Sequence, residues 1–293
     1  MIGIVGERCS MDKVEKLGQS LIHHGSENNR VYLLKLHSDD VPVITKQLEA
    51  LALQNGYTKI IGKVPMGSLA VFEAAGYRQE AHIPGFFESG DAVAFMAKYF
   101  DQFRSVVDQD EKASFDVWLG EGIRKNDYSF KKTFNIARIT MADCGKMANL
   151  YQQVFKSYPF PIFDPEYLKE TIQEGQVIYF GVWAGAELVG LSSAELDRGN
   201  RNAEMTDFAV LPSYRGHKLA LYLLQEMEKE MTAEGFRVLY TICRLKSPGM
   251  NKTFINSGYR FGGVLVNNTQ IAGQIESMNV FYKNIEVWPE FNI

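Results

Sequence analysis

Apolar and polar positions along the chain follow two periods. Short runs that are continuously apolar or alternate with polar residues predict strands at Val31–Leu36, Lys59–Val64, Phe134–Ile139, Val177–Trp183, Leu188–Glu195, Ala203–Leu211 and Arg237–Ile242. Apolar residues at helical spacing mark 42–55, Asp143–Phe155, 165–174 and Leu219–Glu234. Asp164-Pro165 ahead of the third of these is an N-cap and first-turn signature.

The pattern also echoes itself. Residues 56–99 open with Gly56-Tyr57, run into Lys59–Val64, pass through Phe72-Glu73-Ala74-Ala75-Gly76-Tyr77 and close on Phe95–Lys98. Residues 235–283 open with Gly235-Phe236, run into Arg237–Ile242, pass through Phe254-Ile255-Asn256-Ser257-Gly258-Tyr259 and close on Val280–Lys283. Each copy reads as a strand, a short helix stopped by a glycine, and two strands; Gly76 and Gly258 stand where a helix end needs positive φ. Two copies of one unit predict two related domains. The expectation is an α/β chain with a mixed (α+β) sheet: a degenerate, partial copy over 1–100, a charged helical linker over 101–130, and a complete domain over 131–293. The complete domain has the order β-α-α-β-β-β-α-β-α-β-β.

Composition narrows the function classes. The 293 residues are 46% hydrophobic and 23% charged, enough apolar content for buried cores. The formal net charge of −4 shows no basic excess of the kind that nucleic-acid binding uses. No apolar run reaches a membrane span, and the opening MIGIVGERCS lacks a signal-peptide pattern, so no membrane partner and a cytoplasmic location are expected. The three cysteines (Cys9, Cys144, Cys243) and five histidines form no metal-ligand spacing, so no metal is expected. Gly3-x-x-Gly6 is too short for a dinucleotide fingerprint.

Chemistry concentrates between the complete domain's fourth strand and third helix. There Val210-Leu211-Pro212-Ser213-Tyr214-Arg215-Gly216-His217-Lys218-Leu219-Ala220 joins a strand to an amphipathic helix through a basic, glycine-containing loop. Such a loop aims backbone N–H groups at an anion on the helix N-terminus. Arg215–Ala220 resembles the [Q/R]-x-x-G-x-[G/A] pyrophosphate loop of the GNAT superfamily of acetyl-CoA-dependent N-acetyltransferases, with Lys218 in place of the central glycine. The element order over 133–293 matches too, so the resemblance implies a C-terminal GNAT fold preceded by a degenerate, partial GNAT-like domain. The first copy has no counterpart of Arg215–Ala220 and is expected not to bind CoA. Tyr158–Ile162, Ala203–Val210, Gly249–Phe254, Glu276–Val280, Lys63-Val64-Pro65 and Ile83–Phe87 are similar to one subfamily, the β-lysine N-acetyltransferases.

The resemblance implies acetyl transfer from acetyl-CoA to the terminal amine of β-lysine. An amine of pKa about 10.4 is neutral only about once in 10³ at pH 7, a cost of about 4–5 kcal/mol, so a base is required. Glu204, at the strand's start, is the preferred base. Asp207 is the alternative, as base or ammonium anchor; on a regular strand its parity is opposite, so only one of the two would face the acetyl group. Backbone N–H groups near Phe208, Ala209 and Val210 would meet the developing negative charge. Arg215, Gly216, His217, Lys218, Leu219 and Ala220 would hold the pyrophosphate. Ser247 and Asn251 either bind CoA or cap the following helix. The family's usual general-acid tyrosine is Phe254 here, so no acid is assigned. Tyr158 and Phe160, in a proline-stiffened loop, would wall the acceptor site, and Arg244 and Lys246 are the nearest cations for a substrate carboxylate. Other readings are acetylation of another small diamine or amino acid, a peptide acetyltransferase, or a non-catalytic tandem CoA-binding protein; monomer and homodimer both stay open.

Overall fold

The computed structural model describes residues 12–123, 133–158 and 160–285. Gly3, Gly6, Cys9, Pro159 and the end of the expected linker lie outside the described residues. The first half consists of strands β1 (Lys13–Leu17), β2 (Ser20–Gly25) and β3 (Arg30–Lys35), helix α1 (Ile44–Asn55), β4 (Lys59–Pro65), α2 (Leu69–Ala74), β5 (Arg78–Ile83) and β6 (Val93–Tyr99). Helix α3 (Gln109–Glu121) follows. The second half is β7 (Phe134–Arg138), α4 (Cys144–Val154), α5 (Pro165–Gln173), β8 (Val177–Ala184), β9 (Glu187–Asp197), β10 (Asn202–Val210), α6 (Leu219–Ala233), β11 (Val238–Arg244), α7 (Pro248–Asn256), β12 (Arg260–Ile271) and β13 (Gln274–Asn284). The expected order is present; the β1–β2 hairpin is an addition that the sequence pattern did not mark.

All strands join one mixed sheet in the order β1-β2-β3-β4-β6-β5-β12-β13-β11-β10-β9-β8-β7. Within it, β3-β4-β6-β5 mirrors β10-β11-β13-β12, with parallel β3–β4 and β10–β11 pairs. The two copies meet where β5 runs antiparallel to β12. Gly262 and Gly263 allow that meeting, since a Cβ on either would collide with the carbonyls of His82 or Glu80.

The repeated Phe-x-x-x-Gly-Tyr has a physical cause. In each copy the glycine takes positive φ (82° at Gly76, 80° at Gly258). The following Tyr N–H then bonds back to the Phe carbonyl, at 3.0 Å for Tyr77–Phe72 and 3.1 Å for Tyr259–Phe254. The two rings meet edge-on, 5.2 and 5.1 Å apart. This is a Schellman C-cap with its hydrophobic contact, used twice.

The sheet curls, so the halves share a core. Ile61, Ile83, Phe86 and Phe95 of the first half pack on Val238, Tyr240, Leu265, Met278, Val280 and Tyr282 of the second. A second bond between the halves is polar. β12 leaves register with β13 between Leu265 and Thr269. Its freed carbonyls at Val266, Asn267 and Asn268 accept from Lys59 Nζ (2.7 Å), Arg104 Nε (2.9 Å) and Arg30 Nη1. Arg104, just after β6 and buried, also donates to Asn28 O, Asn29 O and Thr58 Oγ1 at 2.6–2.9 Å. Arg104→Ala removes the donor to the Asn28 and Asn267 carbonyls, at roughly 1–3 kcal/mol each, and one of the donors to Asn29 O. The expected loss is about 3 kcal/mol or more in urea unfolding, and a loss below about 1 kcal/mol would contradict the assignment.

Candidate active site

The site forms where β10 and β11 separate. They pair only through Asn202–Val238, Ala203–Leu239 and Glu204–Tyr240, then diverge. Beyond Glu204 the side of β10 facing β11 has no strand partner, and Thr206, Asp207 and Phe208 line the wedge that opens there. On its other side β10 pairs with β9 but slips register between Thr206 and Ala209. Asp207, inside the slip, has φ 55°, a conformation costing about 1 kcal/mol or more in a non-glycine residue.

That bulge corrects the parity argument. Glu204 lies opposite Glu195 of β9. Ser193 shares Glu195's face by strand alternation, and Ser193 Oγ donates to Asp207 Oδ2 at 2.6 Å. Glu195, Glu204 and Asp207 therefore occupy one face. The Tyr158 hydroxyl also donates to Asp207. Burial raises the Asp207 carboxyl against its hydroxyl donors. Burial likewise raises Glu204, opposed by Lys63 and by a hydrogen bond from Tyr240. Glu195 is raised by the surrounding protein and then by the Glu204 and Asp207 charges, but it stays open to water and screened.

The cation in this cluster comes from the other half of the chain. β6, β5, β12 and β13 lie between β4 and β11 in the sheet, yet Lys63 Nζ on β4 donates to Tyr240 Oη at 3.0 Å. It lies 3.9 Å from Glu204 and 5.3 Å from the centre of the Tyr240 ring. Both Lys63 and Glu204 are mostly buried, at 16% and 15% side-chain exposure. In the sequence, Lys63 stands out only by family likeness and Glu195 only as the end of a strand. No local signal marks either, because each becomes chemical only when the sheet curls.

Three adjoining cavities surround the cluster. One of about 270 Å³ lies between the halves and is lined by Lys63, Phe86, Glu195, Asn202 and Tyr240. The next, about 240 Å³, shares Glu195 and is lined by Tyr158, Phe160, Tyr167 and Asp207. The third, about 120 Å³, is the wedge itself, with Tyr158, Asp207, Phe208, Ser247 and Phe254 in its walls. Tyr158 lines both of the last two cavities and Phe160 the second, and Phe160 is held by the first half through His23, ring centres 5.4 Å apart.

Other expected residues are placed differently. Asn251 is fully buried and consumed: its amide donates to the carbonyls of Arg244, Leu245 and Ser247 at 2.7–3.0 Å, and its oxygen accepts from Asn279 at 2.8 Å. It ties the end of β11 to α7 and has no capacity left for CoA. Ser247 occupies the N-cap position of α7 but makes no side-chain cap bond and lines the wedge instead. Arg244 pairs with Glu276 through two bonds of 2.7 and 2.8 Å, and Lys246 reaches the same carboxylate at 3.0 Å. The two cations expected for a substrate carboxylate thus share the Glu276 carboxylate within the fold, while Arg244 also lines the wedge. Phe254 meets Phe208 edge-on beside the wedge, with no proton to donate.

Residues 146–254 match the model of the acetyltransferase (GNAT) family. A β-lysine N(6)-acetyltransferase of Methanococcus maripaludis is 36% identical over 274 residues, covering 93% of this chain and 99% of the relative. The chain belongs to the β-lysine N-acetyltransferase family of GNAT enzymes. A β-lysine N(6)-acetyltransferase of Methanosarcina mazei is 33% identical, covering 81% of this chain and 95% of the relative. The N-acetyltransferase YodP of Bacillus subtilis is 28% identical, covering 91% and 96%.

GNAT acetyltransferases use acetyl-CoA, and the loop of this acetyltransferase fits it. Gly216 has φ 83° with open space where a Cβ would sit. Lys218 takes the left-handed conformation (φ 59°, ψ 27°) immediately before α6, the geometry for which the usual glycine is suited. Among the described residues no backbone carbonyl accepts from the N–H of Gly216, His217, Leu219 or Ala220. Arg215 is exposed beside them, bonded only weakly to Val210 O at 3.4 Å. Leu219 is buried in the core and orients the turn from below.

Proposed function

We propose that the enzyme acetylates the terminal amine of β-lysine, with Glu204 as the base. The relatives' activity supports this reading. What supports it in the structure is the cluster of Glu195, Glu204 and Asp207 with Lys63, in which Asp207 lines the wedge and Lys63 and Glu195 line the cavity between the halves, a charge pattern suited to an acceptor with two ammonium groups and one carboxylate. Acetyl-CoA supplies the activated acetyl group. Gly216, His217, Leu219 and Ala220 would hold its pyrophosphate through their N–H groups, with Arg215 adding charge. The equivalent turn of the first half carries Asp39 and Asp40 and no arginine, so a second CoA site there is disfavoured.

Glu204 receives the amine proton, directly or through water; burial raises its proton affinity toward that task. Backbone N–H groups on the side of β10 that has no strand partner beyond Glu204 would stabilise charge on the carbonyl oxygen. Asp207, held by Tyr158 and Ser193, positions the acceptor ammonium. Asp207→Asn is expected to lower kcat/KM roughly tenfold by a similar factor at all pH values, from one weakened charge-assisted contact. Recovery of this variant at high pH would move the base assignment to Asp207.

The test of the function is turnover of acetyl-CoA with β-lysine, α-lysine, ornithine and polyamines. β-Lysine should lead and α-lysine should follow, about one to two decades lower in kcat/KM. A carboxylate-free polyamine that outperforms β-lysine would overturn the acceptor assignment.

A further inference from the structure

The cavity between the two halves has a mixed lining that neither half supplies alone. Lys63 comes from β4 of the first half, and Glu195 comes from β9 of the second. An ammonium has three donors. Tyr240 takes one from Lys63, and Glu204 stands at 3.9 Å, beyond hydrogen-bond length. Lys63 therefore keeps donor capacity toward the cavity it lines. Glu195 is open to the same space and also lines the adjoining cavity that leads past Asp207 to the wedge. By contrast, Arg244 and Lys246 share the Glu276 carboxylate and line neither this cavity nor the adjoining one.

We infer that this interdomain cavity is the head-group site of the acceptor, with Lys63 binding the carboxylate and Glu195 the adjacent ammonium. In a β-amino acid those groups are separated by one methylene, which suits a cation and a carboxylate facing one small cavity. The tail then runs past Tyr158 and Phe160 and presents its distal amine to the wedge. The degenerate first half is thereby a specificity element of the enzyme. It supplies the one charge that separates an amino acid from a plain diamine. This assignment rests on the β-lysine reading and adds to it the residues that select the substrate.

The experiment uses the full chain and three acceptors. Putrescine keeps both amines at β-lysine's spacing but has no carboxylate, while 6-aminohexanoate keeps the carboxylate and terminal amine but has no second amine. Lys63→Met should lower the ratio of kcat/KM for β-lysine over putrescine roughly tenfold to a hundredfold, mostly through KM, and Lys63→Arg should restore part of it. Glu195→Gln should lower the β-lysine over 6-aminohexanoate ratio by a similar factor. Ratios cancel any general damage to Glu204 or to folding. If wild-type enzyme does not turn over β-lysine, the acceptor reading fails and this site assignment with it. If β-lysine is a good substrate but the variants depress all acceptors alike, the function stands and the head-group assignment falls.

Discussion

Glu204→Gln is expected to reduce turnover about 10²–10³-fold near pH 7 and to recover steadily toward the wild-type rate as pH approaches about 10. The sign follows from two ionisations. In the wild type, Glu204 must be unprotonated to accept a proton, and burial raises its carboxyl above the ordinary range. Wild-type activity therefore falls as pH drops through that raised value. The variant has no such limb. Its rate follows only the neutral fraction of the amine, which grows tenfold per pH unit below about 10.4. A pH–rate profile of kcat/KM for both proteins decides the matter. A loss of the same size at every pH would show that Glu204 acts by packing or by holding Lys63, and not as the base.

Residues 131–293 expressed alone are expected to aggregate or to unfold without a cooperative transition, although they carry the whole CoA loop. Removing the first half bares Val238, Tyr240, Leu265, Met278, Val280 and Tyr282, all buried in the intact chain. Each such side chain contributes ~1.5–3 kcal/mol by burial, and a domain's entire stability is about 5–15 kcal/mol. The cut also leaves the Val266, Asn267 and Asn268 carbonyls without Lys59, Arg104 and Arg30, and it opens the edge of β12 for pairing with another copy. Size-exclusion chromatography and a thermal melt provide the measurement. A monomeric fragment that melts cooperatively and binds acetyl-CoA would contradict the shared-core account.

Much of the fold was legible because its determinants are local. The duplication shows in Phe72–Tyr77 and Phe254–Tyr259 because a Schellman cap needs a glycine at one position and rewards an apolar pair at a fixed spacing. Arg215–Ala220 shows for the same reason: strand, turn and helix start are consecutive, so the loop's shape is encoded where it acts. The Asp164 cap was equally readable, and its side chain does accept from Glu166 N at 2.9 Å.

What the sequence by itself determined is therefore most of the elements, the duplication and the Arg215–Ala220 turn, each built from neighbours in the chain. The tertiary structure decided which charges share the site. The β10 bulge turned Asp207 onto the face of Glu204, against the strand's simple alternation, because a register slip adds residues that have no partner. Asn251, read as either a ligand for CoA or a helix cap, became a buried clamp once β11, α7 and Asn279 converged on it. Arg244 and Lys246 came to share Glu276, a residue on a different strand. Lys63 entered the site from 141 positions before Glu204 in the chain because a sheet of twisted strands curls, and the curl sets β4 against β11 at a distance that no linear pattern records.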